Sequence, residues 1–329
     1  MRGSTRDFLV AMFTSFLLCG CGGFIRPPPV TPTEISEEVD EFGSEMIDEL
    51  VAARARIQDI EFRLLRAASP LCGQWNRPYV GVLVTEQESF KEPKIREIAG
   101  DMLRTGEAAT IVHVARGGPF DRAGLRAGDE LISIAGERIE SSDDLMERVL
   151  ALEVGSTVSV RYRRDGILES NAMVRLDPAC PVRFGYATSP LIVPWQVERV
   201  LIAIPLGLLK YATDDATLAV AMGHQLAHSL FDRPGDDPLD SEMRADSLGL
   251  RIAAAAGFDV SVATAYWEGV AAEYPTLIHR ESQGTASVYG LETRYELLPH
   301  GDIARRLEGI RSETLRQSGG PIAGARGGG

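Results

Sequence analysis

Two histidines four residues apart, in Gly223-His-Gln-Leu-Ala-His-Ser, limit what this 329-residue chain can become more than any other feature. The apolar spacing before them predicts a helix that starts near Asp214 and runs through Ala221 into the pair. At i and i+4, His224 and His228 share one helix face. Both imidazoles can then point at a single tetrahedral zinc ion, with a third ligand from elsewhere and a fourth position open to water. Taken alone, the pair suits two incidental histidines on a helix equally well. A second segment follows, Ser241-Glu-Met-Arg-Ala-Asp-Ser-Leu-Gly-Leu, which opens another helix continuing to Gly257 and supplies Glu242 as the candidate third ligand.

These two segments resemble the M48 family of zinc metallopeptidases, whose pattern is His-Glu-x-x-His followed on a later helix by Glu-x-x-Ala-Asp. The surroundings are similar too: Thr213-Asp-Asp-Ala-Thr-Leu-Ala-Val-Ala-Met before the motif, then Ala254-Ala-Ala-Gly-Phe-Asp and Tyr266-Trp-Glu after it. The resemblance covers about residues 199–311. It implies one Zn2+ per chain held by His224, His228 and Glu242, with Asp246 orienting a ligand histidine from one turn beyond Glu242.

Three departures set this chain apart from that family. The family's glutamate, which takes a proton from zinc-bound water, is Gln225, and an amide cannot do that. Loss of a general base costs on the order of 10²- to 10⁴-fold in rate. Only Ser229 to Ser241 joins the second histidine to Glu242, where relatives carry a longer insertion. Their late His-Pro-Ser-x-x-x-Arg pattern appears as His300-Gly-Asp-Ile-Ala-Arg-Arg, so Arg306 matches the arginine and His300 is a weak candidate for a catalytic contact, with Asp302 as a helix cap. His113 and His279 read as structural. Val197 to Pro205 reads as an edge strand beside the motif helix.

Between Tyr79 and Leu176 short β-branched runs alternate with glycine, which predicts the strands of a small barrel, interrupted by one helix from Ser142 that closes before Gly155. The run Gly117-Gly-Pro-Phe-Asp-Arg-Ala-Gly-Leu-Arg-Ala-Gly-Asp-Glu-Leu-Ile-Ser-Ile-Ala-Gly-Glu-Arg-Ile resembles a bacterial PDZ domain. By that resemblance Tyr79, Val80, Gly81 and Val82 form a loop whose backbone N–H groups receive a polypeptide C-terminus, and the helix from Ser142 walls the groove. The expected fold class is α+β: a PDZ-like β-barrel with a helix, plus a mainly helical, zincin-like C-terminal domain.

The N-terminus carries Arg2 and Arg6 before an apolar run, Phe8 to Leu18, of signal-peptide length and too short to span a bilayer. Its Leu-Cys-Gly-Cys ending resembles the lipobox of bacterial lipoproteins, which implies cleavage before Cys21 and lipidation of that residue. Gly22 in place of an aspartate then favours the outer membrane, facing the periplasm. Cys72 and Cys180 are the cysteines left in the mature chain, and an oxidising compartment suits a disulfide between them. They also match a frame around a PDZ insert seen in some M48 relatives.

The expected segments are 1–21 signal peptide, 22–33 Pro-rich tether, 34–72 amphipathic helices packing on the C-terminal domain, 77–178 PDZ domain, 181–316 peptidase-like domain and 317–329 disordered Gly-rich tail. A net charge of -13 with no dense basic patch excludes a nucleic-acid surface, and 44% hydrophobic residues with a mean hydropathy of -0.04 describe a globular protein. The expected partners are polypeptides and the membrane that holds the anchor. Three functions compete: a zinc-binding pseudoprotease that binds polypeptide, a weakly active metalloendopeptidase in envelope protein quality control, and a metal-free scaffold.

Overall fold

The computed structural model describes residues 31–233, 235–273, 282–288, 291–297 and 303–318. The expected signal segment, Cys21, residues 319–329 of the tail, His279, His300 and Asp302 lie outside the described residues; residues 317 and 318, also assigned to the tail, are helical. The chain divides after Phe42, and the first unit contributes, among the described residues, only the opening of helix α1 (Pro32–Cys72). That helix starts before the expected tether ends. Thr31 accepts the Glu34 N–H (3.2 Å) while Glu34 accepts the Thr31 N–H (2.7 Å), a reciprocal cap, and Pro32 takes the first position, where no N–H is needed. The segment expected as tether through residue 33 thus gives way to helix at Pro32.

In the second unit, the central domain runs through β1 (Arg77–Tyr79), β2 (Val82–Thr85), α2 (Pro93–Leu103), β3 (Thr110–Val114), α3 (Pro119–Arg122), β4 (Glu130–Ile134), β5 (Glu137–Arg138), α4 (Ser142–Leu150), β6 (Thr157–Arg164), β7 (Leu168–Arg175) and β8 (Asp177–Ala179). Its main sheet is ordered β2-β3-β4-β6-β7, with β5 on β4, while β1 and β8 pair separately. Strict alternation on β6 sends Val158, Val160 and Tyr162 inward against Ile111, Phe120, Leu131 and Val174. Helix α2 has no counterpart in the sequence reading. It caps a satellite core in which Ile98 and Ala99 meet Ile47 of α1.

The C-terminal domain follows with β9 (Arg183–Thr188), β10 (Trp195–Glu198), β11 (Leu201–Pro205), α5 (Leu206–Tyr211), α6 (Asp215–Phe231), α7 (Pro238–Ala255), α8 (Ala263–Glu273), β12 (Ser282–Val288), β13 (Leu291–Leu297) and α9 (Ile303–Ser318). Helices hold more of it than strands do. A five-stranded sheet, β10-β11-β9-β12-β13, backs the helices. The stretch 197–205, expected to be one edge strand, contains the turn of a hairpin: β10 is the edge, and β11 lies inside, antiparallel to β10 and parallel to β9. Ile57, Ile60, Leu64, Leu65 and Ala68 of α1 share one core with Ile202, Ile204, Leu218 and Met222, so the helix is a wall of this domain. Cys72, the last residue of α1, is joined by a disulfide to Cys180, with Cα atoms 5.6 Å apart.

Candidate metal centre and peptide groove

Asp214 caps α6 by accepting the Thr217 N–H (2.8 Å), and Asp237 caps α7, whose first residue is Pro238 rather than the expected Ser241. The two helices touch backbone to backbone. A Cβ on Gly223 would stand 2.8 Å from the Gly249 carbonyl oxygen, and one on Gly249 would stand 2.7 Å from the His224 nitrogen. This approach brings Glu242 of α7 to the two histidines of α6.

The Nε2 atoms of His224 and His228 are 3.1 Å apart, and the Glu242 carboxylate oxygens lie 3.6 Å and 3.5 Å from them. Ligand atoms held about 2.0–2.1 Å from a tetrahedral zinc stand roughly 3.3–3.4 Å from one another. Oε2 faces His224 and Oε1 faces His228, so each imidazole has its own carboxylate oxygen at close to that spacing, and the donors, two imidazoles and a carboxylate, suit zinc. His224 and Glu242 are buried, and His228 is nearly so.

Around the triangle each ligand has a partner. Asp246 sets Oδ1 3.0 Å from His224 Nδ1 and accepts two hydrogen bonds from Arg306, both 2.7 Å. Arg306 is fully buried, reaches Glu242 at 2.9 Å and lies over the Trp267 ring at 4.4 Å. One cation thereby balances part of two buried carboxylates. Burial pushes the His224 pKa down to about 4 against the opposing pull of Asp246, so the ring is neutral near pH 7. Donating Nδ1–H to Asp246, it keeps its Nε2 lone pair toward the cluster. The carboxyl of Asp246 stays below its usual range: burial acts to raise it, and the Arg306 charge and hydrogen bonds outweigh that.

His228 has an equivalent support that the sequence reading did not assign. Its Nδ1 lies 2.6 Å from Asp232 Oδ2, and Asp232 also accepts from Ser241 Oγ at 2.6 Å. The signal was available, since Asp232 follows His228 at i+4. Burial works against a charge on His228, but the Asp232 hydrogen bond and the Glu242 and Asp232 charges together raise its pKa. Gln225 is buried on α6 between the two histidines.

In the central domain the loop expected to take a chain terminus is pinned by its carbonyls. Val80 O accepts the Phe120 N–H at 3.2 Å and Gly81 O accepts the Ala115 N–H at 2.8 Å, with Gly81 at φ +70°. Positive φ at that turn favours glycine. Val82 begins β2, the edge of the main sheet, and Glu86 just beyond β2 accepts both the backbone N–H (3.1 Å) and the hydroxyl (3.3 Å) of Ser142 at the start of α4. Met146 and Leu150 of α4 stay exposed. Tyr79 is turned away toward α1, stacking on Phe62 at 5.8 Å and bonding Gln58 through its hydroxyl. His113 is likewise tied to α1, 3.0 Å from Asp59.

Residues 78–173 match the sequence profile of the PDZ domain family. This segment is a PDZ domain. The "Serine protease Do-like HtrA" of Bacillus subtilis (strain 168) is 32% identical over 110 residues, covering 32% of this chain and 24% of that protein. The "Probable periplasmic serine endoprotease DegP-like" of Bartonella henselae is 34% identical over 87 residues, covering 26% of this chain and 17% of its own length. The chain thus spans about a quarter or less of these relatives. Among solved structures, the HtrA3 PDZ domain bound to a phage-derived ligand (FGRWV) covers 32% of this chain and 89% of its own, at 18% identity and a TM-score of 0.26. The HtrA-type protease AlgW with a decapeptide covers 32% and 30%, at 24% identity and a TM-score of 0.27. The PDZ domain sits in sequence between the two disulfide-bonded cysteines.

Proposed function

We propose that this chain is an exported, lipid-anchored envelope protein whose PDZ domain binds polypeptide C-termini, and whose C-terminal domain is a zinc-holding, non-cleaving counterpart of M48 metallopeptidases. The observation that carries this reading is the cluster of His224, His228 and Glu242, whose facing atoms stand at close to zinc-ligand spacing, with Gln225 on the same helix. The disulfide and the periplasmic relative support export; Cys21 is the proposed anchor, in an outer membrane facing the periplasm. Among the described residues no helix is long and apolar enough to cross a membrane.

At the centre, a bound zinc ion supplies a Lewis acid. The chain's own groups do the rest: Asp246 and Asp232 fix the two imidazoles, Arg306 holds Glu242, and Gln225 offers no carboxylate to receive a proton. A weakly active peptidase needs a substitute base from Asp232 to Asp240. Asp232 is occupied by His228 and Ser241, which counts against it. A metal-free scaffold draws support from the direct His224 to His228 hydrogen bond and from Arg306 at Glu242.

Casein turnover by the full chain separates these readings. The proposal expects none above background in the native protein and, with zinc bound, a gain of at least about 10²-fold in Gln225→Glu, the lower end of what a general base contributes. Native turnover that vanishes in His224→Ala would establish the peptidase instead.

A further inference from the structure

A cavity of about 310 Å³ opens where α1, the loop after β3 and the end of α7 meet. In a chain of net charge -13 it is lined by three arginines, Arg63, Arg66 and Arg116, and by no carboxylate. Arg63 is spent on structure: its Nε and Nη2 both donate to the Ala256 carbonyl (3.1 and 2.8 Å), and its guanidinium lies 3.5 Å from the Phe258 ring centre. Arg66 lies over the Phe62 ring at 5.4 Å, and Arg116 engages Asp59 at hydrogen-bond distance only through its backbone N–H, at 3.1 Å. Both side chains are exposed, and neither forms an ion pair among the described residues. Two forked donors therefore face one cavity without the planar anion they match.

The walls narrow the anion. Phe62 and Ala67 make one side apolar, which suits a carboxylate on a hydrocarbon stem. The other side is the C-terminal end of α7, whose dipole is negative there and repels a dianion more than a monoanion. Arg116 also directly follows Ala115, the residue whose N–H holds Gly81 of the PDZ loop. We infer that this cavity is a second recognition point for polypeptide, taking a carboxylate from an aspartate or glutamate side chain or a chain terminus. The inference rests on the reading of the chain as a polypeptide binder and is independent of the metal centre.

Calorimetry on the full chain with three unlabelled peptides tests it: an Ala-rich peptide containing Glu with an amidated C-terminus, its amidated Gln twin, and the Gln twin with a free C-terminus. The Glu peptide should bind, weakening with salt, and the amidated Gln twin should not. The double variant Arg66→Ala with Arg116→Ala should lose about tenfold or more in affinity, since hydrogen bonds to charged groups are worth about 1.5–3 kcal/mol. Ala67→Glu, which fills the cavity with the chain's own carboxylate, should abolish binding with all three arginines intact. A free-terminus Gln peptide that weakens in the arginine variant assigns the terminal carboxylate as a source. If that peptide binds unchanged in the variant while the Glu peptide does not bind, the PDZ reading stands and the cavity proposal falls. Equal binding of the two amidated peptides, or stronger displacement by inorganic phosphate than by acetate, would also overturn it.

Discussion

Glu61 occupies a position on α1 where its neighbours Ile57, Ile60, Leu64 and Leu65 all face the core, and it is itself only 7% exposed. Burial lifts its pKa from 4.5 to about 8, against the Phe184 N–H and the Arg183 charge, which pull the other way. A carboxyl that holds its proton more tightly when folded contributes stability in full below about pH 4.5, and that contribution is lost as the pH rises toward 8. Glu61→Gln should therefore change thermal stability little at pH 5 and raise it at pH 9, by up to the order of 4 kcal/mol. Parallel Tm curves for the two proteins across that range would refute it. Residues of this kind were invisible in the sequence, because a glutamate on a helix reads as a solvated face until the packing is known. Asp232 escaped for a different reason: its i+4 register to His228 is local, but only the fold turns its carboxylate toward the imidazole. Arg306 was singled out through a resemblance of pattern alone, whereas its ion pairs with Asp246 and Glu242 depend on α9 returning to α7.

At the scale of elements, the grouping of His224, His228 and Glu242 depends on how closely α6 and α7 approach. Gly249→Ala puts a methyl 2.7 Å from the His224 backbone nitrogen, closer than side-chain carbons approach. The helices must separate, at a cost of about 1–3 kcal/mol or more. The expected result is a lower unfolding midpoint together with weaker zinc retention; a variant of unchanged stability would show that the helices part freely. Helix starts were legible where a cap was plain, as at Asp214. They were missed where proline intervened, at Pro32 and Pro238, since proline reads as a breaker although it is tolerated at a first turn. Strand order was not legible at all. Whether β11 is an edge or an interior strand depends on β9 and β12, which pair with each other and, through β9, with β11; the polar run of β12 gives little to read, and the alternation of Leu291, Thr293, Tyr295 and Leu297 along β13, though present in the sequence, does not say which strand it pairs with.

At the scale of the whole molecule, the disulfide closes a loop that contains the PDZ domain, its two cysteines 108 positions apart. In the chain-entropy account a loop of that size is worth about 4–5 kcal/mol. Reduction should lower the denaturant midpoint by an amount of that order while the PDZ core, lying within the loop, keeps its own packing; an unchanged midpoint would mean the unfolded chain gains little freedom. The bond also ties the end of α1 to the segment between β8 and β9, so loosening it reaches the wall of the domain that carries His224, His228 and Glu242. The central claim is that this domain holds zinc without cutting. Metal analysis of the folded full chain, purified without chelators beside His224→Ala, tests it most directly. The account predicts one zinc per native chain and loss of that zinc in the variant, whereas a folded native chain with no zinc, or the same zinc content in both, would contradict it.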